Sequence, residues 1–166
     1  MPQRCQFRVS VTKDDLVFSS AHFITYAGHR CEGLHGHNYR ARVTIDGALD
    51  PADRLVFDFL ELKRIMRGLC REIDHLVLLP AGSARIAVVE DGDTVRVAVD
   101  GTPRYLFPRR DCALLPVPNT TVEMLAELLA GRLRTALEAL GVGGLTAIEM
   151  EIEENVGQSA TYRMEL

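Results

Sequence analysis

The chain has 166 residues, of which 47% are hydrophobic and 25% charged, and a formal net charge of −4. This length suits one domain, residues 1–166, with a sizeable hydrophobic core. Because the charge balance has no basic excess, it argues against general nucleic-acid binding.

The first 46 residues are predicted to contain two strands. Apolar and polar residues alternate at 7–11, which is the pattern of a half-buried strand, and we place its end near Lys13. A second alternation at 39–45 predicts another strand that runs to about Asp46.

The next predicted element is a helix. Asp58 is a suitable N-cap, and apolar residues recur at helical spacing from 62 to 73. We expect this helix to stop close to Asp74 and His75.

A second helix and two further strands complete the predicted element order. Thr120 and Glu123 have capping-box spacing at the start of this helix, and Gly141 is its natural terminator. The last two strands are predicted at about 145–154 and 159–165. The chain therefore follows an order of two strands, two helices and two strands in an α+β fold.

The region at about 80–118 does not belong to that unit. Two apolar strand patterns flank the turn residues DGD at 91–93 and are followed by GTPRYLFP at 101–108. We interpret this region as an inserted β-hairpin, from 85 to 100, with a third short strand as an alternative extension. The hairpin is not required by the four-strand, two-helix unit.

The cysteines and the first residues indicate the compartment. Cys5, Cys31, Cys70 and Cys112 lie far apart without a CxxC pair, which argues against a zinc ribbon or a disulfide scaffold. The sequence shows no apolar signal core and no window suited to a membrane span. We expect a cytoplasmic protein with no membrane partner.

The motif HGH at 35–37 is a candidate metal site. His35 and His37 have the same strand parity as Tyr39, so both imidazoles face the apolar side and can converge on one atom. His22 is the best third ligand, which would leave a fourth position open, as in catalytic zinc sites. A turn with solvated histidines is the alternative from pattern alone.

Five spaced motifs together resemble one known family. They are FSSAH at 18–22, C-x3-HGHNY at 31–39, IDH at 73–75, T-x-E-x-LA at 121–126, and a glutamate, Glu154, eight residues before Tyr162. This order resembles the 6-pyruvoyltetrahydropterin synthase and 6-carboxytetrahydropterin synthase family. The resemblance implies a tunnelling fold, in which an antiparallel four-stranded sheet carries two helices on one face. It also implies a homo-oligomer, a trimer or a hexamer of two stacked trimers.

The resemblance also implies roles for individual residues. His22, His35 and His37 would hold Zn2+, which binds the side-chain hydroxyls of a pterin triphosphate substrate. Cys31 would abstract the proton, and Asp74 would orient His75 for proton transfer. A histidine just past a helix end could instead only interact with the helix dipole.

Three further residues are candidates for substrate binding. By resemblance, Thr121 and Glu123 lie near the pterin, although Glu123 could serve only as a capping carboxylate. Glu154 has the parity of the inward-facing Ile152, whereas Glu153 faces water, so Glu154 is the predicted anchor of the pterin ring. If the strand has ended or bulged by 154, the side chain is solvated instead.

The family has two main activities on 7,8-dihydroneopterin triphosphate. The short C-x3-H spacing between Cys31 and His35 favours the 6-carboxytetrahydropterin synthase, a lyase that releases triphosphate and acetaldehyde and feeds 7-deazaguanine (queuosine) biosynthesis. The alternative within this class is the 6-pyruvoyl reaction, or a related one on another pterin. The 47 residues between His75 and Glu123 exceed the short loop expected of compact members, so the insert could reshape the pocket.

Two alternatives from other classes remain open. One is a zinc-containing pterin-binding protein that has lost turnover. The other is a zinc-dependent hydrolase, which predicts a carboxylate base beside the metal ligands instead of a thiol.

Overall fold

A computed structural model of the chain describes residues 7–166, apart from the side chains of residues 13–15, so Cys5 lies outside the described residues. Eleven strands are present in that range, in chain order β1 (Phe7–His22), β2 (Thr25–Tyr26), β3 (Arg30–Cys31), β4 (His35–Gly47), β5 (Val77–Pro80), β6 (Ile86–Asp91), β7 (Thr94–Val99), β8 (Thr102–Pro108), β9 (Cys112–Leu115), β10 (Leu145–Asn155) and β11 (Gln158–Glu165). The two helices are α1 (Phe59–Arg71) and α2 (Val122–Ala139). Neither helix, within the described residues, has the length and apolar character to cross a membrane.

The main sheet contains the four long strands that the sequence predicts. Its order is β11-β10-β4-β1-β5-β9, and the first four strands pair antiparallel. Two short strands, β5 and β9, extend the sheet beyond β1 in parallel pairings. In chain order the four long strands and the helices run strand, strand, helix, helix, strand, strand, which confirms the predicted α+β tunnelling fold.

The first strand is longer than predicted. It does not end near Lys13 but continues to His22 after an irregularity, where its partner on β4 changes from Thr12↔Arg42 to Val17↔Arg40. A bulge of this kind allows a strand to absorb extra residues without ending. The extension brings His22 directly opposite His35.

Both helices cover the apolar face of the main sheet. This face carries Tyr39, Ala41 and Val43 of β4, which are fully or almost fully buried, as their alternating positions predict. Two buried stripes face it from the helices, Leu62 and Met66 of α1 and, on α2, Leu125, Leu129 and Leu133. The helices therefore seal the core and leave the other sheet face uncovered by them.

The helix boundaries agree with the sequence except at two places: α1 ends at Arg71, before the predicted stop close to Asp74 and His75, and the N-cap of α2 differs. Asp58 caps α1, because its carboxylate accepts the N–H of Leu60 at 2.8 Å. The N-cap of α2 is Thr121 and not Thr120, so the predicted capping box of Thr120 with Glu123 does not form. The Thr120 hydroxyl instead donates to the Phe23 carbonyl at 3.0 Å, and this tertiary bond shifts the helix start by one residue.

The inserted region forms a separate antiparallel sheet of three strands, β6-β7-β8, and not a hairpin alone. Its inner face contributes to a second hydrophobic cluster with Phe23, Leu79 and Cys112; the inserted members are Ile86, Val95, Val97 and Val99. Burying a large aliphatic side chain contributes roughly 1.5–3 kcal/mol. The insert therefore packs against the edge of the main sheet and contributes to its stability.

Candidate metal centre and active site

Three histidines converge at one end of the β1–β4 pair. His22 lies opposite His35, and His37 is two residues along the same face. Their ring centroids are 4.7 Å (His22–His35), 5.2 Å (His22–His37) and 4.8 Å (His35–His37) apart. One ligand atom from each of these residues and one from Glu154 all lie within 4.8 Å of one another. The predicted grouping of the three histidines is therefore formed.

Hydrogen bonds to backbone carbonyls orient two of these rings. His22 Nδ1 lies 2.8 Å from the Thr120 carbonyl oxygen, and His35 Nδ1 lies 2.9 Å from that of Gly33. A carbonyl can only accept, so each Nδ1 carries a proton, and in the neutral form of such a ring Nε2 keeps its lone pair. This is the arrangement by which outer-shell groups prepare histidines for a metal.

Two buried histidine nitrogen atoms without hydrogen-bond partners indicate that the site suits a cation. Nε2 of His22 and Nε2 of His37 are buried and have no hydrogen-bond partner, although each lies 3.2 Å from Glu154 Oε1. Burying such groups without partners is unfavourable. Three imidazoles and a carboxylate form a ligand set that suits Zn2+, so these residues fit the ion that the sequence predicts.

The electrostatic environment of His22 also favours its role as a metal ligand. Burial lowers the pKa of His22 below its ordinary value, and this outweighs the opposite effects of the Thr120 hydrogen bond and the Glu154 charge. The ring is therefore neutral near pH 7, and a neutral imidazole is the form that coordinates metals.

Glu154 faces inward, as its parity predicts, but its neighbours are the histidines. The β10–β11 register is irregular between Glu153 and Asn155, as the alternative anticipates, but the Glu154 side chain is only 23% exposed, so the bulge does not leave it fully solvated. Glu153 points the other way, where Arg40 lies 3.9 Å away. The position of Glu154 beside His22 and His37 links this carboxylate to the metal centre more directly than to a separate pterin slot.

The predicted pair Asp74 and His75 is formed. His75 Nδ1 is 2.9 Å from Asp74 Oδ1, which also accepts the Ser19 N–H at 2.7 Å. Burial alone would raise the pKa of Asp74, but the hydrogen bonds from Ser19 and His75 lower it overall. Because α1 ends at Arg71, His75 is not at the helix terminus, and a helix-dipole role does not explain its position.

Cys31 and His75 line different cavities. His75 borders a space of about 550 Å³ together with Gly36 and Asn38, whereas Cys31 borders one of about 510 Å³ with Arg104. No hydrogen bond or ion pair joins Cys31 to the Asp74–His75 pair in the part of the chain that the structure describes. One chain therefore does not assemble the three predicted catalytic residues around a single cavity.

The remaining cysteines of the described residues are structural. Cys70 is buried in the main core, and burial raises its pKa to about 12. Cys112 is buried in the second cluster, and burial raises its pKa as well. Both behave as small hydrophobic residues. Cys31, which is half-buried, is the reactive candidate among the described thiols.

Sequence reasoning missed Glu32. Its Oε2 lies 3.8 Å from His35 Nε2, so a carboxylate stands next to the metal centre beside the neighbouring Cys31. The position of Glu32 directly after Cys31 could have indicated it as a site residue. The segment is irregular, however, so strand parity does not predict the direction of its side chains. The site therefore also has the carboxylate that a zinc-dependent hydrolase would use. A carboxylate beside the metal ligands thus does not distinguish a hydrolase from a pterin synthase.

The start of α2 lies beside the metal centre. Thr120 supplies the carbonyl that holds His22, and Thr121 follows it as the N-cap, its hydroxyl 3.5 Å from the Met124 N–H. Glu123 is exposed in the first turn, one residue short of the capping-box position. Its carboxylate is thus free of the capping role that the sequence also allowed.

Comparison with known proteins gives one consistent family. The 6-pyruvoyl tetrahydropterin synthase family profile matches residues 10–165. A protein of Methanocaldococcus jannaschii, provisionally named 6-carboxy-5,6,7,8-tetrahydropterin synthase, is 34% identical over 148 residues, covering 89% of this chain and 90% of its own. The 6-carboxy-5,6,7,8-tetrahydropterin synthase of Aquifex aeolicus is 27% identical over 138 residues, or 82% and 78% of the two chains.

A solved structure agrees with these relatives. The crystal structure of the Plasmodium vivax 6-pyruvoyl tetrahydropterin synthase superposes with a TM-score of 0.89 at 27% identity, over 98% of this chain and 99% of that one. A variant of that enzyme has alanine in place of a glutamate described as a catalytic residue.

Proposed function

The chain belongs to the 6-pyruvoyl tetrahydropterin synthase family, and on this premise we propose that it is a zinc-dependent 6-carboxytetrahydropterin synthase. It would convert 7,8-dihydroneopterin triphosphate to 6-carboxy-5,6,7,8-tetrahydropterin, with release of triphosphate and acetaldehyde. The observation that carries this proposal is the convergence of His22, His35 and His37 with unpaired Nε2 atoms at His22 and His37.

We propose that these three histidines hold one Zn2+ through their Nε2 atoms. When bound there, the ion would polarise the substrate's side-chain hydroxyls and make the neighbouring carbon-bound protons easier to remove. Glu154 would balance the positive charge, since its Oε1 lies 3.2 Å from Nε2 of both His22 and His37. In this proposal Glu154 serves the metal site, and its predicted role as the anchor of the pterin ring is the alternative.

The pterin ring then requires another carboxylate, and Glu123 is the best candidate. It is exposed in the first turn of α2, three residues after Thr120, whose carbonyl holds His22. A carboxylate can accept the adjacent ring N–H and exocyclic amino group of a pterin in a bidentate pair. Thr121 would border the same pocket.

Proton abstraction is assigned first to Cys31. A free thiol has a pKa of about 8.5, so a nearby positive charge is needed to increase its thiolate fraction. Arg104, which borders the same cavity, and the metal would supply that charge.

Glu32 is a second candidate for the base. Its carboxylate lies 3.8 Å from His35 Nε2, and a glutamate is named as catalytic in the similar P. vivax enzyme. A carboxylate is already ionised at neutral pH and needs no activation by a cation.

The Asp74–His75 pair would move protons during elimination of the triphosphate. Because this pair and Cys31 line different cavities of one chain, we propose that His75 acts in the site of a second copy within a trimer or hexamer. The exposure of His75, whose side chain is 81% accessible, is consistent with a partner on that face.

The 6-carboxy product is favoured over the 6-pyruvoyl product by two observations. Two curated relatives, which cover 89% and 82% of this chain, carry the 6-carboxy name, and the chain has the short C-x3-H spacing of that branch. The P. vivax likeness keeps the 6-pyruvoyl reaction as the second candidate.

The deciding experiment is product analysis by mass spectrometry. Zinc-loaded protein is incubated with 7,8-dihydroneopterin triphosphate, and 6-carboxytetrahydropterin with acetaldehyde is expected. A 6-pyruvoyl product would select the second candidate. Binding of substrate without any product would identify a non-catalytic pterin-binding protein, and hydrolysis alone would identify a hydrolase.

A further inference from the structure

The inserted sheet makes hydrogen bonds to the segment from Cys31 to His35, here called the 31–35 segment. Arg104 of β8 donates through Nη2 to the Glu32 carbonyl at 2.8 Å. Its neighbour Tyr105 accepts the Leu34 N–H at its hydroxyl oxygen, at 3.1 Å. These bonds hold the backbone on both sides of Gly33.

The two side chains act as one unit. Arg104 Nε lies 3.2 Å from the Tyr105 hydroxyl oxygen, and its guanidinium carbon is 5.5 Å from the centre of the Tyr105 ring. That ring packs between Phe23, at 5.1 Å, and Phe107, at 5.4 Å, in the second hydrophobic cluster. The unit is therefore fixed to the fold, and what it holds is fixed with it.

The segment it holds carries proposed active-site groups at both ends. Gly33, which lies between the two held positions, presents the carbonyl that orients His35 through Nδ1 at 2.9 Å. At the other end, Cys31 packs against the same hydrophobic cluster as Tyr105. His35 is the most exposed of the three histidines, so its orientation depends most on this local support.

We propose that Arg104 and Tyr105 are positioning residues, through which the inserted sheet sets the geometry of the proposed metal ligand His35 and the proposed thiol base Cys31. The importance of Cys31 and zinc rests on the proposed function, whereas the restraint of the segment does not. Neither residue needs to contact the substrate, because both hold the backbone of the 31–35 segment, and the positive charge of Arg104 also lies at the cavity that Cys31 borders. The insert thereby becomes part of the active-site framework.

The test uses conservative variants in the full chain. Tyr105→Phe removes only the hydroxyl and keeps the packed ring, and Arg104→Ala and Arg104→Lys remove or retain a donor for the Glu32 carbonyl. Arg96→Ala is the matched control, because Arg96 lies on the same inserted sheet and pairs with Asp91 at 3.2 Å. Hydrogen exchange at Leu34, zinc affinity by chelator competition, and kcat and KM are measured for each.

The variants should loosen the segment without unfolding the chain. Loss of one hydrogen bond predicts about three- to tenfold faster exchange of the Leu34 amide in Tyr105→Phe. Zinc affinity should fall by a factor of several up to about tenfold in Tyr105→Phe and Arg104→Ala, the lower end of the range for outer-shell changes. The kcat should fall more than KM rises, Arg104→Lys should recover part of both losses, and Arg96→Ala should match wild type.

Unchanged Leu34 exchange and unchanged zinc affinity in both Tyr105→Phe and Arg104→Ala would overturn the proposal. Faster exchange with unaltered zinc affinity and kcat would also overturn it, because the restraint would then have no consequence at the site. If the wild-type protein shows no pterin turnover, the proposed function fails by itself. Leu34 amide exchange and zinc affinity do not depend on turnover, so they still test the positioning role.

Discussion

His22 Nδ1 and the carbonyl oxygen of Thr120 are joined by a 2.8 Å hydrogen bond that connects the end of β1 to the start of α2. The bond fixes the tautomer of His22, so that its Nε2 points toward His37 and Glu154. It also holds the segment that leads into α2, whose N-cap is Thr121, next to His22. One contact therefore links the metal site to the proposed pterin site.

Zinc should bind in a one-to-one ratio through three histidines. Replacing His22, His35 or His37 by alanine removes one metal ligand. Elemental analysis of each purified variant is expected to show less than one zinc per chain. His29→Ala is the control, because His29 is exposed and its Nδ1 bonds to the Ala27 carbonyl within its own loop, outside the histidine cluster. Full zinc retention in the His22 or His37 variant would refute the ligand assignment.

The identity of the base can be decided between two neighbours. If Cys31 is the base, Cys31→Ala should keep zinc and lose about 100-fold or more in kcat, whereas Glu32→Gln should retain most activity. Steady-state kinetics on dihydroneopterin triphosphate measures both. The reverse pattern would assign proton abstraction to Glu32.

Three glutamates should separate into three behaviours. Glu154→Gln should weaken zinc binding, because it removes a charge 3.2 Å from two ligand nitrogens. Glu123→Gln should weaken binding of a pterin analogue by roughly 2 kcal/mol or more while zinc affinity stays unchanged. Glu153→Gln is the control and should alter neither quantity in calorimetric titrations. A loss of pterin affinity confined to Glu154→Gln would restore the anchor predicted from sequence.

The separation of Cys31 and His75 predicts complementation between copies. Cys31→Ala and His75→Ala should each be inactive, but oligomers reassembled from a mixture should recover activity, since some sites then combine an intact Cys31 with an intact His75. Activity is measured after mixing, denaturing and refolding together, with each variant refolded alone as the control. If mixed oligomers form and remain inactive, both residues act within one chain.

Acid should weaken the fold through Asp46. This buried carboxylate accepts two bonds from Arg8, at 2.7 and 2.9 Å, and one from Arg163, at 2.9 Å. The Arg8 hydrogen bond is the main cause that holds the pKa of Asp46 below its ordinary value of 3.8. Because the folded pKa is the lower one, the stabilisation is complete above the ordinary value and is lost as pH falls through the folded pKa.

The measurement for Asp46 is chemical unfolding as a function of pH. Asp46→Asn should lower the free energy of unfolding at pH 7 by roughly 1 kcal/mol, and the difference from wild type should shrink below about pH 4. Asp53→Asn, at an exposed turn position, is the control. A pH-independent difference would show that the Asp46 effect comes from packing and not from charge.

The local pattern of the sequence was sufficient for much of the fold. Alternation along β4 placed His35, His37 and Tyr39 on one face, and Asp58 marked the start of α1, because side-chain period and capping depend on neighbouring residues alone. The sequence already offered His22 as the best third ligand, and the family motifs supported that grouping. The inward direction of Glu154 also followed from strand parity.

Only the tertiary structure decided the features that depend on contacts between distant segments. The bond from Thr120 to Phe23 accompanies the N-cap of α2 at Thr121, and the pairing of β10 with β4 brought Glu154 beside His22 and His37. The irregular segment around Glu32 has no periodicity from which its side-chain direction could be read. Arg104 and Tyr105 form hydrogen bonds to Glu32 and Leu34, which lie 72 and 71 residues away in sequence. Such contacts exist only after the inserted sheet packs on the second hydrophobic cluster.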